Sequence, residues 1–216
     1  MPPLTPANAA IRAENVTASE VAALLPGGHP YTTAEGIYDR LTSGKGPGES
    51  SMAMRIGSHM EPAILRFAEA EMGFRARANA RTFVHRRVHL CATPDAFAVT
   101  RMPWAMTPER ALVEVKMSGR PELWRDVPSY IEWQCRAQLA CTGRDVVYIV
   151  VLAAMRLLSF PVYREPDTEA EMLAAVDAFW REHIVARVRP EPTVSAPSSP
   201  FSFEADPAIR EKEAIA

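Results

Sequence analysis

Two carboxylates and one amine stand in this sequence in the order that metal-dependent phosphodiester hydrolysis requires. Pro94-Asp95 comes first, and Glu114-Val115-Lys116 follows it. The run around Glu114 is apolar and β-branched, so it predicts a strand, and the two-residue period of a strand places Glu114 and Lys116 on one face. Carboxylate oxygens suit Mg²⁺ or Mn²⁺, which clamp a phosphate and activate a water, while a nearby lysine stabilises developing negative charge.

A Glu-x-Lys pair on a strand is also typical of an ordinary solvated sheet face. Two neighbouring features favour the chemical interpretation. Glu114 and Lys116 lie in a strongly apolar stretch, and Asp95 follows a predicted strand at 88–92 through the turn-like Thr93-Pro94. Functional side chains are often presented at such turns.

The composition predicts one folded domain without a strong charge bias. The chain has 216 residues and 48% hydrophobic content, enough to bury a substantial core. Its 24 Lys and Arg against 26 Asp and Glu give a formal charge of −2, so overall charge does not predict a nucleic-acid partner. The stretch Arg75–Arg87 holds five arginines and no acidic residue. It predicts either a basic wall that follows phosphates or a solvated face.

Cysteine usage and the chain start predict a cytoplasmic protein. The three cysteines, at 91, 135 and 141, are odd in number and lack a paired metal-binding spacing. They predict neither a disulfide framework nor a zinc site. The first residues lack a basic and apolar leader, and no long uncharged apolar run occurs, so no membrane contact is expected.

Hydrophobic periodicity and capping patterns predict an α/β fold. Helices are expected at about 17–25, 33–41, 51–72, 129–142 and 168–187, and strands at about 82–85, 88–92, 97–99, 111–116, 146–152 and 157–162. Capping boxes are expected at Thr17, Thr32, Ser129 and Thr168. Gly73 and Gly143 are expected to end the helices that precede them.

Two details of the predicted helices bear on the site. Pro62 should kink the third helix or start a new one near Glu61. In the fourth helix, Gln134 and Gln138 are four residues apart and share a face.

Several short motifs, in the same order, resemble those of one known family. They are Arg12, Ser19 in Thr-Ala-Ser-Glu, Pro30-Tyr31, Gly57, Glu61-Pro62, Pro94-Asp95, Glu114-Val115-Lys116, and Pro128-x-Tyr130 ahead of Gln134. They resemble the YqaJ-type viral recombinases of the bacteriophage lambda exonuclease family, which belong to the PD-(D/E)xK nucleases. The resemblance spans Arg12 to about Trp180. It implies a restriction-endonuclease-like core, with a central mixed β-sheet flanked by helices.

The domain boundaries combine this resemblance with composition. An N-terminal arm is expected at 1–11, the PD-(D/E)xK exonuclease domain at 12–189, and a tail at 190–216. The tail is rich in Pro and Ser, which favours neither a regular helix nor a central strand.

The resemblance also implies a metal site. Asp95 and Glu114 would bind metal, and the backbone carbonyl of Val115 would add a third protein oxygen. Glu61 would lie close to a second metal position, so two Mg²⁺ ions per site are implied, with Mn²⁺ as a substitute. Lys116 would orient the attacking water.

By the same resemblance, Gln134 contacts the scissile region, and Arg12 with Ser19 forms a pocket for a terminal 5′-phosphate. An Arg fork and a hydroxyl near a helix start suit a phosphate dianion. From the residues alone, Gln134 could equally be an exposed helix residue, Ser19 a local backbone cap and Arg12 a surface charge.

The activity implied by the resemblance is a Mg²⁺-dependent 5′-to-3′ exonuclease on linear double-stranded DNA. It would release 5′-mononucleotides and leave 3′ single strands for phage-type recombination. Phage or prophage origin, a ring-shaped homotrimer at DNA ends and a single-strand annealing protein as partner are implied as well. Two alternatives stay open: an end-independent or structure-specific endonuclease of the same fold, and a non-catalytic DNA-binding subunit. Intact Asp95, Glu114 and Lys116 argue against the second.

Overall fold

The structure, a computed structural model, describes residues 5–44, 51–99, 103 and 110–192. Residues 1–4 of the predicted arm and the predicted tail beyond residue 192 lie outside the described residues. Within the described ranges, no helix combines the length and the apolar composition that a membrane span needs.

Helices and strands follow one another in the manner expected of an α/β fold. The helices are α1 (Pro6–Ala13), α2 (Ala34–Thr42), α3 (Met52–Met72), α4 (Ser129–Thr142) and α5 (Pro166–Phe179). The strands are β1 (Val16–Thr17), β2 (Ala76–Ala78), β3 (Phe83–Val84), β4 (Leu90–Ala92), β5 (Ala96–Ala98), β6 (Ala111–Ser118), β7 (Val146–Ala153) and β8 (Arg156–Tyr163). Short 3₁₀ helices occupy Val21–Leu24 and Pro121–Trp124, and a π-helical turn, Trp180–Val185, extends α5.

A mixed five-stranded sheet has the order β2-β5-β6-β7-β8, and a smaller sheet has the order β1-β4-β3. In the larger sheet β6 and β7 pair in parallel, from Ala111↔Val146 to Ser118↔Ala153, and the other neighbours pair antiparallel. Parallel neighbours need a long crossover, and α4 lies in the crossover from β6 to β7. The predicted central mixed sheet flanked by helices is confirmed.

Side-chain alternation gives the larger sheet two buried faces. Val113 on β6 packs with Ile64 of α3 in one apolar cluster. Leu112, its neighbour on β6, packs with Leu139 of α4 in another. Glu114 shares the parity of Leu112, so it faces α4.

The third helix differs from its prediction at one point. α3 runs through Pro62 without interruption, so no new helix begins near Glu61. A proline inside a helix costs about 3 kcal/mol. Ile64 and Leu65, which follow Pro62 on the same helix, are buried, and their burial contributes about 1.5–3 kcal/mol each. Packing against the sheet therefore offsets the penalty, and α3 ends at Gly73 as predicted, with φ of 70°.

The predicted capping boxes do not cap helices at the expected starts. In place of the expected helix at 17–25 there is the 3₁₀ helix Val21–Leu24, whose N-cap is Glu20. α2 is capped by Thr33 in place of Thr32.

Prolines mark the starts of the two later helices. α4 has Pro128 at its N-cap, and Ser129 is its first helical residue. α5 begins at Pro166, ahead of the predicted start at Thr168. Proline fits the first turn of a helix because its missing N–H would have no helical partner there.

The predicted boundary between arm and domain, at residues 11 and 12, falls inside helix α1. Thr5 caps this helix by accepting a 3.3 Å hydrogen bond from the Asn8 N–H. The buried Asn8 side chain donates to the Ala80 carbonyl and accepts from the Thr82 N–H. These contacts tie the start of the chain to the segment ahead of β3.

Candidate active site

Glu114 lies at the centre of a hydrogen-bonded group formed by β6 and α4. Glu114 is 2% exposed to solvent. Its Oε1 accepts hydrogen bonds of 2.6 Å from both Lys116 Nζ and Gln134 Nε2, and its Oε2 accepts one of 2.6 Å from Gln138 Nε2. Lys116 Nζ also donates to Gln134 Oε1 at 3.2 Å. The structure thus brings together three predicted site residues, Glu114, Lys116 and Gln134.

Two local periodicities produce this geometry. Residues i and i+2 of a strand share a face, which places Lys116 beside Glu114. Residues i and i+4 of a helix share a face, which directs Gln134 and Gln138 to the same carboxylate. The sequence showed the shared face of the two glutamines but gave Gln138 no role. Gln138 is 1% exposed and satisfies Glu114 Oε2, so it belongs to the site.

Asp95 approaches the same site from the loop between β4 and β5. Its Oδ2 accepts a 2.7 Å hydrogen bond from the Val115 N–H. Asn79, which the sequence did not single out, fixes this loop. Its backbone N–H donates to the Asp95 carbonyl and its Nδ2 to the Pro94 carbonyl, both at 2.8 Å. Both residues are 7% exposed, so the loop is anchored inside the protein.

The electrostatics of the site are dominated by crowded carboxylates. Burial raises the pKa of Asp95 well above its ordinary value, and repulsion from Glu114 raises it further. Burial alone would lower the pKa of Lys116, but attraction to Glu114 and Asp95 raises it instead, so the amine stays charged. If both carboxyl groups ionise, their charge exceeds that of the one ammonium, and a bound cation would relieve this repulsion.

Glu61 lies on α3, the helix that packs on the other face of the sheet. Burial raises the pKa of Glu61, and Glu114 raises it further. Glu61 is therefore within electrostatic reach of the cluster. Its predicted place beside a second metal ion stays a prediction.

The donor set fits a hard divalent cation. Asp95 and Glu114 would supply carboxylate oxygens. Val115 contacts Asp95 through its N–H, and its carbonyl stays a predicted third ligand. A bound divalent cation would relieve the repulsion that raises the pKa of Asp95. Among the described residues, no three His, Cys, Asp or Glu side chains form a metal site by themselves. A backbone oxygen or solvent would therefore have to complete the ligand set.

Arg12 and Ser19 occupy another segment, at the end of α1 and in the turn after β1. Ser19 is exposed, and its Oγ lies 3.1 Å from Thr17 Oγ1. Arg40, which the sequence did not single out, donates to the Arg12 carbonyl at 2.7 Å and to the Glu20 carboxylate at 2.6 and 2.7 Å. Arg40 therefore holds the two segments together. The predicted 5′-phosphate pocket stays a prediction.

The basic stretch between Arg75 and Arg87 is accessible to solvent. All five of its arginines are exposed. Arg77 lies on β2, at the edge of the larger sheet, and the guanidinium of Arg81 lies 5.2 Å from the ring centroid of Phe83. This arrangement is compatible with a basic wall that follows phosphates and also with an ordinary solvated face.

Solved structures with a similar fold are nucleases by their published descriptions. An alkaline exonuclease, LHK-Exo, from Laribacter hongkongensis aligns with a TM-score of 0.65 and 22% identity, over 84% of this chain and 94% of that chain. The same exonuclease in complex with dAMP aligns with a TM-score of 0.65 and 23% identity, over the same shares. A phage-related exonuclease from Haemophilus somnus aligns with a TM-score of 0.55 and 11% identity, over 81% and 96%. No curated protein sequence matches the chain.

These likenesses confirm the predicted restriction-endonuclease-like architecture. Residues 9–145 match the YqaJ-like viral recombinase domain, a span that holds every predicted site residue. Family and fold together support a nuclease of the phage-recombination type. With the match covering more than half of its length, the chain belongs to the YqaJ-like viral recombinase family.

Proposed function

We propose that this protein is a Mg²⁺-dependent 5′-to-3′ exonuclease acting on linear double-stranded DNA. It releases 5′-mononucleotides and leaves 3′ single strands for phage-type homologous recombination. The observation that carries the proposal is the buried carboxylate of Glu114, held by Lys116, Gln134 and Gln138 in the field of Asp95. A similar fold has been solved in complex with dAMP, a molecule of the size that such a reaction releases.

Each residue of the cluster has a distinct task in this proposal. Asp95, Glu114 and the Val115 carbonyl would hold the metal, and Glu61 would serve a second ion. A divalent cation bound there would supply Lewis-acid polarisation of the scissile phosphate and of the attacking water. Lys116 stays charged and stabilises the negative charge that develops on the phosphate oxygens.

Gln134 links the two halves of the cluster. It donates to Glu114 and accepts from Lys116, so it fixes the carboxylate and the amine relative to each other. Its amide lies on the α4 side of the site, where it faces the scissile region in this proposal.

An end-dependent enzyme also needs a group that recognises the end. We assign this task to Arg12 and Ser19, because an Arg fork and a hydroxyl suit a terminal 5′-phosphate. A ring-shaped homotrimer around DNA and a single-strand annealing protein as functional partner complete the proposal. Membership of the recombinase family supports both.

Asp95→Asn should abolish digestion of linear duplex DNA in Mg²⁺, because it removes one of two metal-binding carboxylates at nearly constant size. Duplexes labelled at the 5′ or the 3′ end, with and without a 5′-phosphate, are incubated beside closed circular DNA. The wild type should release the 5′ label first, as a mononucleotide, and leave the circle intact. Asp145→Asn, at an exposed position before β7, is the matched control and should retain wild-type activity.

Two results would overturn the proposal. Cutting of the closed circle would identify an end-independent endonuclease. Binding of DNA without digestion in either Mg²⁺ or Mn²⁺ would identify a non-catalytic subunit.

A further inference from the structure

Three aromatic rings, those of His29, Tyr31 and Tyr130, stand together beside Lys116. Tyr31 and Tyr130 belong to the motifs of the sequence, but neither those motifs nor the proposed chemistry gives the three rings a role. The ring centroids of His29 and Tyr31 are 5.8 Å apart, those of His29 and Tyr130 are 5.2 Å apart, and those of Tyr31 and Tyr130 are 6.2 Å apart. The rings meet edge to face, at 72°, 81° and 90°. Each ring therefore braces the other two.

The backbone around Gly27 and Gly28 and a hydrogen bond to His29 hold Tyr31 in this ring cluster, and its side chain stays exposed to solvent. Gly27 and Gly28 adopt φ of 91° and 65°, a backbone that other residues rarely adopt, and they turn the chain toward the start of α4. The Tyr31 N–H then donates to His29 Nδ1 at 3.1 Å. Tyr31 is nevertheless 73% exposed. A large aromatic ring that is fixed in position and exposed is available to stack on a ligand.

The ring cluster opens into a cleft that leads to the proposed reaction centre. The cleft holds about 1000 Å³ and is lined by Tyr31, Tyr130 and Lys116. Arg120 and Arg125 line it as well, and with Lys116 they outnumber its two acidic residues, Glu122 and Asp126. Cationic side chains that follow a backbone, interleaved with aromatic rings that stack on bases, are the combination found in grooves for single-stranded nucleic acid.

We propose that Tyr31, braced by His29 and Tyr130, forms a stacking subsite for an unpaired nucleobase next to the scissile phosphate. The subsite deepens the proposed nuclease function and rests on it. Lys116 marks where the phosphate lies, so a strand that continues along the cleft brings a neighbouring base to Tyr31. Every base has a π-face, so such a subsite holds the strand without selecting its sequence.

The test measures stacking apart from catalysis. The parent protein for this test carries Asp95→Asn, so that it does not cut its substrate. It is mixed with a duplex whose 5′ end is unpaired and carries 2-aminopurine beside the scissile bond. The fluorescence of 2-aminopurine is measured on binding. Tyr31 should quench the probe, and Tyr31→Phe should retain the quenching. Tyr31→Ala and Tyr31→Leu should lose it and weaken binding by about 5- to 150-fold, the range for one base stacked on one ring. Tyr163→Ala, an exposed tyrosine on β8 outside the cleft, is the control and should behave as the parent.

The outcomes separate this inference from the proposed function. Failure of the parent protein to bind the duplex would count against the nuclease proposal itself. Binding with equal quenching by the parent, Tyr31→Ala and Tyr31→Leu would overturn the stacking subsite alone. A change of native mass in Tyr31→Ala, with quenching retained, would identify Tyr31 as a contact between protein chains and would also overturn it.

Discussion

Glu114 accepts hydrogen bonds from three side chains, and these donors leave it little freedom to rotate. Lys116 and Gln134 donate to Oε1, and Gln138 donates to Oε2. Lys116 lines the cleft and Gln134 is half-buried, whereas Gln138 is buried. Gln138 is therefore a positioning residue, which acts on the reaction through Glu114.

Gln138→Met should reduce activity by about 10- to 100-fold, the usual effect of losing a group that orients a metal ligand. Met keeps the volume but leaves Glu114 Oε2 without its donor. We expect the Mg²⁺ concentration for half-maximal activity to rise, while the affinity for DNA, measured without metal, stays unchanged. Thr142→Val, which removes a neighbouring hydroxyl that donates to the Gln138 carbonyl, serves as control. Unchanged Mg²⁺ dependence in Gln138→Met would contradict the assignment.

The raised pKa of Asp95 makes the stability of the metal-free protein depend on pH in a defined direction. Burial and the repulsion from Glu114 cause the folded protein to hold this proton more tightly than the unfolded chain does. The resulting stabilisation is complete below the unfolded pKa and is lost as pH rises through the folded pKa.

We expect the metal-free wild type to lose Tm relative to Asp95→Asn as pH rises through that window, because Asn carries no carboxyl to ionise. Mg²⁺ should raise the Tm of the wild type most at the alkaline end and raise that of Asp95→Asn less. Scanning calorimetry across pH, with and without Mg²⁺, measures both effects. Parallel curves for the two proteins would show that Asp95 does not titrate in this way.

How far the site could be predicted depends on the range of each interaction. Glu114 and Lys116 were placed on one face correctly, because strand periodicity is a local property. The contact of Gln138 with Glu114 needs α4 to dock on β6, which no spacing along the chain specifies. Asn79 anchors Asp95 from a loop that shows no pattern of its own, and it was missed for the same reason.

At the scale of elements, Arg40 of α2 joins parts of the chain that the sequence treats separately. Its guanidinium bonds to the Glu20 carboxylate and to the carbonyls of Arg12 and Asn15. The side chains of Arg40 and Glu20 are 19% and 17% exposed, so solvent screens this ion pair only in part. The end of α1, the turn after β1 and α2 are thereby fixed to one another.

Arg40→Met should lower the free energy of unfolding by about 2 kcal/mol, the scale of hydrogen bonds to charged groups. Arg181→Met is the matched control. Arg181 pairs with Asp177, and their side chains are 65% and 47% exposed. Loss of this pair should lower the free energy of unfolding by less than about 1 kcal/mol. Urea denaturation measures both variants. Equal losses of unfolding free energy in the two variants would show that the contacts of Arg40 stabilise the fold no more than an exposed ion pair does.

Elements with long regular patterns were predicted well, and elements held by distant contacts were not. The apolar runs of β6 and β7 predicted strands that the structure confirms. No helix was predicted at α1, because its anchor is Asn8, which bonds to the chain at Ala80 and Thr82. No local window contains both ends of such a contact. β2 has three residues at a sheet edge, too few for a periodic signal.

At the scale of the whole molecule, charge is distributed unevenly although its sum is almost zero. The formal net charge is −2. Exposed arginines are nevertheless concentrated between residues 75 and 87, and the cleft beside Lys116 carries Arg120 and Arg125. A DNA-binding protein of this composition depends on such local fields rather than on overall attraction. The homotrimer proposed above would have to turn these surfaces toward the duplex.

The architecture was predictable as a class but not in its second sheet. Strands β1, β3 and β4 are two or three residues long, so nothing in the sequence indicates that β1 pairs in parallel with β4. The order of the larger sheet also depends on which strands meet. Periodicity predicts that strands exist, whereas tertiary packing decides their neighbours.

The crossover from β6 to β7 has a consequence for how such a chain can change in length. α4 is both the link that parallel pairing demands and the carrier of Gln134 and Gln138. One residue added within this helix ahead of Gln134 would rotate both amides by about 100° around the axis. Insertions should therefore be tolerated in the hairpin between β7 and β8, where Ala154 and Met155 are exposed. Insertions in the crossover helix ahead of Gln134 should abolish activity.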